Sequence, residues 1–336
     1  MNILVTGGAG FIGSHTVVEL VEAGHKPFIV DNFVNSDSSV IDRLKKITGK
    51  PIQFLNSDIR NTQELSAFVE GKKIDGVIHF AALKAVGESV KKPLEYYRNN
   101  LDGLLSVLEV MSQQNIDKLI FSSSATVYGG PDVVPITEDA PLKTPTNPYG
   151  ATKQMGEQII KDVVKTSNLR AILLRYFNPV GAHPSSLIGE SPLGVPSNLL
   201  PIVVQAASGK LKEIVIAGND YDTPDGTGVR DYIHVVDLAK AHVKALEKIN
   251  SGSSLTTYNL GTGKGSSVLE VIESFEKVNG AKVPNRVGPR RDGDLATVYA
   301  SAAKAEKELG WKAELTLEDA LRDAWKWQQS LQKQGK

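Results

Sequence analysis

The chain has 336 residues, which predicts one large domain or two ordinary ones. Lys plus Arg and Asp plus Glu both number 38, so the net charge near zero argues against binding to nucleic acid or to an anionic membrane. With no cysteine and only six scattered histidines, disulfides and thiolate chemistry are excluded and no metal site is expected. The N-terminal apolar run is too short for a signal peptide, and no run has the length of a membrane span, so we expect a cytoplasmic protein.

The first half of the chain alternates short apolar runs with amphipathic stretches. This pattern predicts helices that include residues 16–23 and 101–111. The predicted strands are residues 3–6, 28–31, 52–55, 77–80, 119–123 and 171–176. Alternation of strand and helix favours a parallel sheet with right-handed crossovers, so we predict a Rossmann-like, doubly wound α/β fold.

Residues 177–231 are rich in proline and glycine, a composition typical of long loops that build ligand sites. The remaining predicted elements are helices at 235–246, 268–278 and 317–332 and a strand at 258–260 that returns to the sheet. We therefore predict two interleaved domains. The first comprises residues 1–177 plus about 232–262, and the second, a smaller α/β domain, comprises residues 178–231 plus 263–336.

A glycine-rich turn links the first predicted strand to the first helix. Gly7, Gly10 and Gly13 fit the three needs of a dinucleotide site, namely a tight turn, close approach of the pyrophosphate, and close packing of helix on strand. Phe11 and Ile12 would then present backbone N–H groups to the phosphates at the helix N-terminus. The alternative is a tight turn without a ligand. Residues 261–265 also contain glycines and a lysine, but they lack the first glycine and the Ser/Thr of a P-loop, so we reject that interpretation.

Asp31 ends the second predicted strand and predicts which dinucleotide binds. A carboxylate there accepts hydrogen bonds from the adenosine ribose and repels a 2′-phosphate, which favours NAD over NADP. Asn32 and Ser36 could add ribose contacts. Asp58 and Ile59 follow the third strand, where the adenine is expected.

Tyr149 and Lys153 form a Tyr-x-x-x-Lys motif, whose side chains project from one face of a helix. A tyrosine hydroxyl with its ordinary pKa of ~10 is a poor base, but a nearby ammonium stabilises the phenolate and lowers that pKa. Ser124 lies just past the predicted fifth strand, at the sheet edge where α/β folds place ligands. The three residues predict a proton-transfer site, whereas a lone Tyr/Lys pair would indicate only a helix surface.

In this order, the glycine turn, the serine and the Tyr/Lys pair resemble those of the extended short-chain dehydrogenase/reductases. Across residues 2–311 the chain resembles the UDP-galactose 4-epimerases of that family. The resemblance implies bound NAD, a UDP-sugar substrate, and a homodimer formed through helices at 96–113 and 149–165. Apolar positions there could serve such an interface or pack on the sheet; they are Leu101, Leu104, Leu108, Met155, Ile159 and Val163.

The resemblance also assigns contacts to residues outside the motifs. It implies further cofactor contacts by Phe80, Lys84, Asn99, Tyr176 and Phe177, in addition to Ser124, Tyr149 and Lys153. It implies substrate contacts by Lys84, Ser124, Tyr149, Asn178, Asn198, Leu199, Arg230, Tyr232, Arg291 and Asp294. The two arginines suit a diphosphate because their planar forks match phosphate oxygens. The alternative for Arg230 is an ion pair with its neighbour Asp231.

We therefore expect an NAD-dependent 4-epimerase that interconverts UDP-glucose and UDP-galactose through a transient 4-keto sugar. The alternatives are a nucleotide-sugar epimerase for pentoses or N-acetylhexosamines, a 4,6-dehydratase, and a non-catalytic NAD sensor. Dehydratases of the family carry acidic residues directly after the serine, where this chain has Ala125 and Thr126. The resemblance implies that Val298 occupies a substrate-loop position that is bulky in hexose-only enzymes, so its small side chain predicts that N-acetylated UDP-sugars are also accepted. The alternative is that Val298 packs at the domain interface and that Ala217 or Leu193 closes the pocket.

Overall fold

The structure, a computed structural model, describes residues 1–194, 196–291, 293–333 and 335. The second predicted domain includes Val195, Asp292, Gln334 and Lys336, which lie outside the described residues. Within the described part of the chain, no helix combines the length and the apolar character needed to cross a membrane.

The first half of the chain forms six strands and seven α-helices in alternation. The strands are β1 (Asn2–Thr6), β2 (Lys26–Asp31), β3 (Gln53–Asn56), β4 (Gly76–His79), β5 (Lys118–Ser124) and β6 (Arg170–Tyr176). The helices are α1 (Phe11–Glu22), α2 (Ser39–Thr48), α3 (Thr62–Val69), α4 (Val86–Lys91), α5 (Pro93–Tyr97), α6 (Gly103–Gln113) and α7 (Pro148–Thr166).

The second half has shorter strands and longer loops. Its strands are β7 (Asn178–Val180), β8 (Ile214–Ala217), β9 (Val229–Arg230), β10 (Tyr232–His234), β11 (Leu255–Leu260), β12 (Ser266–Ser267), β13 (Asn285–Gly288) and β14 (Thr297–Val298). Its helices are α8 (Leu199–Ala207), α9 (Val235–Lys248), α10 (Val268–Asn279), α11 (Ala303–Leu309) and α12 (Leu317–Lys333).

Seven strands form one sheet in the order β3-β2-β1-β4-β5-β6-β11, and every neighbouring pair is parallel. The strand order reverses between β1 and β4, the point at which doubly wound sheets open a crevice beyond the carboxyl ends of their strands. The predicted Rossmann-like fold is confirmed. Strand β11 joins the sheet beside β6, as the sequence predicted for residues 258–260.

Some predicted boundaries are wrong. Ser124 is the last residue of β5 rather than the first beyond it, and Phe80 lies just outside β4. Helix α1 begins at Phe11, directly after the glycine turn, as the sequence predicted. A single π-helical turn, Arg98–Asp102, precedes α6, so the predicted helix at 101–111 has an irregular start.

Hydrophobic side chains fill both faces of the sheet and a separate third core. Residues of α1 and α9, such as Val17 and Ala241, cover one face, whereas Leu104, Leu108 and others of α6 and α7 cover the other. The third core lies between α8, α10 and α12. The large sheet is therefore covered on both faces, and a smaller layer of helices has a core of its own.

Phe275 of α10 is fully buried in this third core, and its ring meets Trp325 of α12 edge to face, with the centroids 5.5 Å apart. We expect Phe275→Ala to lower the free energy of unfolding by about 3–5 kcal/mol because it opens a cavity. Urea denaturation measures the change. Val133→Ala, at a side chain that is 72% exposed, is the control and should change it by less than about 0.5 kcal/mol. A Phe275 variant as stable as the wild type would contradict the packing.

Candidate active site

The glycine turn lies at the reversal point of the sheet and is shaped by close approaches. Gly7 has a φ of 69°, and a Cβ there would lie 2.7 Å from the backbone nitrogen of Ala81. A Cβ at Gly13 would lie 2.2 Å from the carbonyl oxygen of Gly7, so only glycine lets α1 pack this close to the turn. No side chain caps α1 at Gly10, so its first-turn N–H groups, including those of Phe11 and Ile12, are available to an anion. This cradle fits a dinucleotide pyrophosphate.

Asp31, only 8% exposed at the end of β2, is fixed beside that turn. One carboxylate oxygen accepts from the backbone N–H of Ala9, at 3.0 Å. The other accepts from the backbone N–H of Phe33 and from the hydroxyl of Ser36, at 2.8 and 3.0 Å. The carboxylate is therefore oriented by the turn itself, and Ser36 adds a hydrogen bond to it.

The predicted adenine-side residues meet at the carboxyl ends of β2 and β3. The side-chain amide of Asn32 donates to Asp58 at 3.3 Å, while Ile59 is buried against Gly103 at the start of α6. Arg60 forms a fork on Asp58, with contacts of 2.8 and 2.6 Å. These hydrogen bonds lower the pKa of Asp58 to about 2, so the carboxylate is charged at neutral pH.

Helix α7 presents Tyr149 and Lys153 to the end of β5. Ser124 accepts hydrogen bonds from the backbone N–H and the hydroxyl of Thr126, at 3.2 and 3.0 Å, so its own proton points elsewhere. Burial raises the pKa of Tyr149 to about 12, and a hydrogen bond from the Ser124 hydroxyl acts in the opposite direction. The three residues predicted to act together are thus brought together.

Lys153 lies beneath the tyrosine ring, with its Nζ 5.9 Å from the ring centroid. The same Nζ donates to the carbonyl oxygen of Ser122 at 2.6 Å. Burial lowers the pKa of Lys153 to about 8, against the favourable charge of Glu157, so the lysine remains mostly protonated at pH 7. The arrangement therefore provides an ammonium beside a phenol that must lose its proton to act as a base.

A residue that the sequence analysis missed, Glu190, links two predicted ligand-binding side chains. One oxygen of its carboxylate accepts from Lys84 Nζ at 3.1 Å and from the Asn198 side chain at 2.7 Å. Asn198 precedes α8, whose first residue is Leu199. The sequence carried no signal for this contact, because Glu190 stands alone in a loop rich in proline and glycine.

The other predicted cofactor residues line the carboxyl edge of the sheet. The ring of Phe80 lies 4.8 Å from that of His242, and the hydroxyl of Tyr176 hydrogen-bonds to the same histidine. Phe177 is buried in a small cluster with Tyr128. The side chain of Asn99, in the π-helical turn that follows α5, donates to Asn100 at 3.0 Å.

The predicted substrate residues gather on two small sheets outside the large one. Asn178 and Tyr232 are register partners of β7 and β10, and Val298 of β14 is the register partner of Arg230 in β9. Val298 packs against the cluster that also contacts Ala125, directly after Ser124. Val298 and the residue that follows β5 therefore pack against one hydrophobic cluster.

The alternative pairing of Arg230 with Asp231 is wrong. Arg230 instead donates to Asp294 at 2.6 Å, whereas buried Asp231 accepts from the backbone N–H groups of Thr262, Gly263 and Ala300. Arg291 is exposed, and its carbonyl oxygen accepts from the backbone N–H of Asp294 at 3.2 Å. The Arg230–Asp294 ion pair and the exposed Arg291, three residues before Asp294, are called the charged rim.

Known proteins resemble this chain along nearly its whole length. Residues 4–324 match a family model described as GDP-mannose 4,6 dehydratase. The UDP-glucose 4-epimerase of Bacillus subtilis is 54% identical over 331 residues, covering 98% of this chain and 97% of that relative.

Two solved structures share the fold closely. The UDP-glucose 4-epimerase of Bifidobacterium longum, in complex with NAD+ and UDP, is 53% identical with a TM-score of 0.95 and covers 98% of both chains. That of Stenotrophomonas maltophila, with bound NAD and formylated UDP-arabinopyranose, is 51% identical with a TM-score of 0.97 and covers 99% of both chains. The relative from Bacillus subtilis and both solved structures are UDP-glucose 4-epimerases. The chain therefore belongs to the UDP-glucose 4-epimerase family within the extended short-chain dehydrogenase/reductases.

Proposed function

We propose that this protein interconverts UDP-glucose and UDP-galactose with tightly held NAD. The observation that carries the proposal is the group formed by Ser124, Tyr149 and Lys153 at the carboxyl edge of the sheet, next to the glycine cradle. Relatives of the same family bind NAD and UDP, which supports the assignment of both ligands. Asp31 supports NAD as the dinucleotide because its oriented carboxylate repels a 2′-phosphate.

In the proposed mechanism, Tyr149 removes the proton of the sugar 4-hydroxyl. Bound NAD+ would take the hydride from C4 and return it to the opposite face of the resulting 4-keto sugar. The Ser124 hydroxyl donates toward the phenolate oxygen, and the Lys153 ammonium stabilises its charge. Burial raises the pKa of Tyr149 to about 12 even with the opposing hydrogen bond of Ser124, so the proposal requires the positive charges of Lys153 and of bound NAD+ to stabilise the phenolate.

The nucleotide is proposed to bind across the charged rim. Arg230 is held by Asp294 and is available to a diphosphate, and Arg291 adds a second fork. Lys84, Asn178, Asn198, Leu199 and Tyr232 complete the proposed substrate site. A firm grip on the nucleotide leaves the hexose free to turn over between the two hydride transfers.

The rival activities fit the site less well. A 4,6-dehydratase needs an acid and a base for elimination, and the two positions after Ser124 carry Ala125 and Thr126, neither of which is acidic. A non-catalytic NAD sensor would not require Tyr149, Lys153 and Ser124 to converge. A pentose or N-acetylhexosamine epimerase shares the same chemistry and differs only in its sugar pocket.

The proposal includes two domains, a homodimer and a cytoplasmic location. The division into residues 1–177 plus about 232–262 for NAD and 178–231 plus 263–336 for the substrate is supported by the separate third core. A dimer face on α6 and α7 is supported by Leu105 and Met155, which are 44% and 45% exposed. Of the six positions named from the sequence, Leu104 and Leu108 pack on the sheet instead, while Ile159 and Val163 are only partly buried against it.

Tyr149→Phe is expected to reduce turnover of UDP-galactose by ~10²–10⁴-fold, because it removes the only proposed base at C4. Purified protein is incubated with UDP-galactose without added NAD, and UDP-glucose formation is measured. Tyr258→Phe is the matched control, since it removes a hydroxyl that donates to Glu308, away from the site. An inactive wild type would refute the proposed function, and a fully active Tyr149 variant would refute the mechanism.

Cofactor released from the purified, denatured protein is expected to be NAD rather than NADP. The reason is like-charge repulsion between Asp31 and a 2′-phosphate in a buried site. Chromatographic separation of the two dinucleotides measures their ratio. Recovery of mostly NADP would overturn the role of Asp31.

Wild-type protein is also expected to interconvert UDP-N-acetylglucosamine and UDP-N-acetylgalactosamine. Val298 is small and packs against the same cluster as Ala125, whereas the ring of Tyr299 lies by Gly265. Val298→Tyr should therefore abolish only the N-acetyl activity, because the ring would fill the space needed by the C2 substituent. Both substrate pairs are assayed with both proteins, so the hexose activity serves as the internal control. A wild type without N-acetyl activity would contradict the open pocket.

A further inference from the structure

Helix α7 carries a third polar side chain on the face that bears Tyr149 and Lys153. Glu157 lies one turn beyond Lys153 and is only 6% exposed. Its carboxylate accepts from the Ser123 hydroxyl at 2.5 Å. Three consecutive residues of β5 therefore meet three successive turns of α7, because Ser124 meets Tyr149, Ser122 meets Lys153 and Ser123 meets Glu157.

Glu157 is held from behind by Arg175 of β6, which forms a fork on it with contacts of 2.8 and 2.6 Å. Arg175 also donates to the hydroxyl of Tyr128 at 2.9 Å, and that hydroxyl donates to Asn259 of β11 at 2.6 Å. The carboxylate is thus hydrogen-bonded on both of its oxygens inside the protein, which offsets the cost of burying a polar group. This network fixes its position.

The groups around Lys153 explain why a buried negative charge matters there. The ammonium of Lys153 contacts the ring of Phe121 and the carbonyl oxygen of Ser122, both in β5, and the ring of Tyr149 in its own helix. His79 of β4 is buried with a pKa lowered to about 3, so it is neutral. Tyr176 of β6 is neutral as well, because burial raises its pKa. Glu157, one turn further along α7 and paired with Arg175, is the carboxylate whose charge opposes the effect of burial on the pKa of Lys153.

We propose that Glu157 is a positioning residue whose carboxylate, anchored by Ser123 and Arg175, keeps Lys153 protonated beside Tyr149. This inference rests on the proposed function of the same site. Without the carboxylate the buried ammonium would lose its proton at a lower pH, since burial already disfavours its charged form. The phenolate of Tyr149 would then lose its stabilising cation, and its pKa would rise.

A purely structural role must be separated from this one, because Glu157→Gln alone leaves Arg175 as an unpaired buried cation that destabilises the fold. The double variant Glu157→Gln/Arg175→Met removes both charges and keeps an amide oxygen to accept from Ser123. Ser123→Ala is a milder variant that keeps both charges and removes one hydrogen bond to the carboxylate. Asp162→Asn, an acid-to-amide change on the exposed side of α7, is the matched control.

The experiment measures kcat/KM for UDP-galactose across pH, together with ultraviolet titration of tyrosinate in the NAD-bound protein against a Tyr149→Phe background. In the double variant, the pH at which kcat/KM falls on the alkaline side is expected to drop by about one unit, and the pKa of Tyr149 is expected to rise. Ser123→Ala should give smaller shifts in the same directions. Asp162→Asn should overlay the wild type.

Double-variant and Ser123→Ala profiles that coincide with the wild-type profile, in protein that melts cooperatively, would overturn the proposal and leave Glu157 a structural residue. If the double variant does not fold, the shift in Ser123→Ala decides. Wild-type protein inactive on UDP-galactose would instead refute the proposed function, and the tyrosinate titration would still test Glu157.

Discussion

The register between the end of β5 and helix α7 is the constraint on which the site depends. Tyr149 and Lys153 are separated by one helical turn. Both therefore reach the end of β5 only if α7 has one particular position along its own axis relative to that strand. The hydrogen bond from Lys153 to the carbonyl oxygen of Ser122 fixes this position of the helix. Shifting the helix by one residue would rotate both side chains away from Ser124 and leave a buried ammonium without its acceptor.

The same sheet edge also positions the cofactor cradle. Because all seven strands are parallel, their carboxyl ends meet on one side, and the reversal between β1 and β4 opens the crevice there. Gly7 and Gly13 let α1 start directly at that crevice, with its positive end facing outward. Asp31 at the end of the adjacent strand is then oriented by the turn it helps to hold.

The substrate side is built on different physics. Its strands are two to four residues long and pair in small sheets, so position there depends on contacts between loops rather than on a continuous ladder. Asp231 fixes the junction, since its buried carboxylate collects the backbone N–H groups of Thr262, Gly263 and Ala300. Arg230, the residue before Asp231, pairs with Asp294 at the rim.

Local spacing in the sequence was enough to determine the glycine turn, the acidic end of β2, the Tyr/Lys pair and the alternation that gives a doubly wound sheet. These features depend on neighbours within one or two turns, so periodicity and residue type reveal them. Where a strand ends was harder to predict, as β5 shows, because the three serines at its end do not continue the apolar pattern.

Only the tertiary structure decided which distant charges meet. Lys84 and Glu190 form an ion pair although they are 106 residues apart. Arg230 pairs with Asp294, 64 residues away, and not with the adjacent aspartate. Glu157 follows Lys153 at helical spacing, but its proposed role depends on its contacts with Ser123 of β5 and Arg175 of β6. A buried charge acquires its role from the partners that fold around it, and no local pattern in a single sequence specifies those partners.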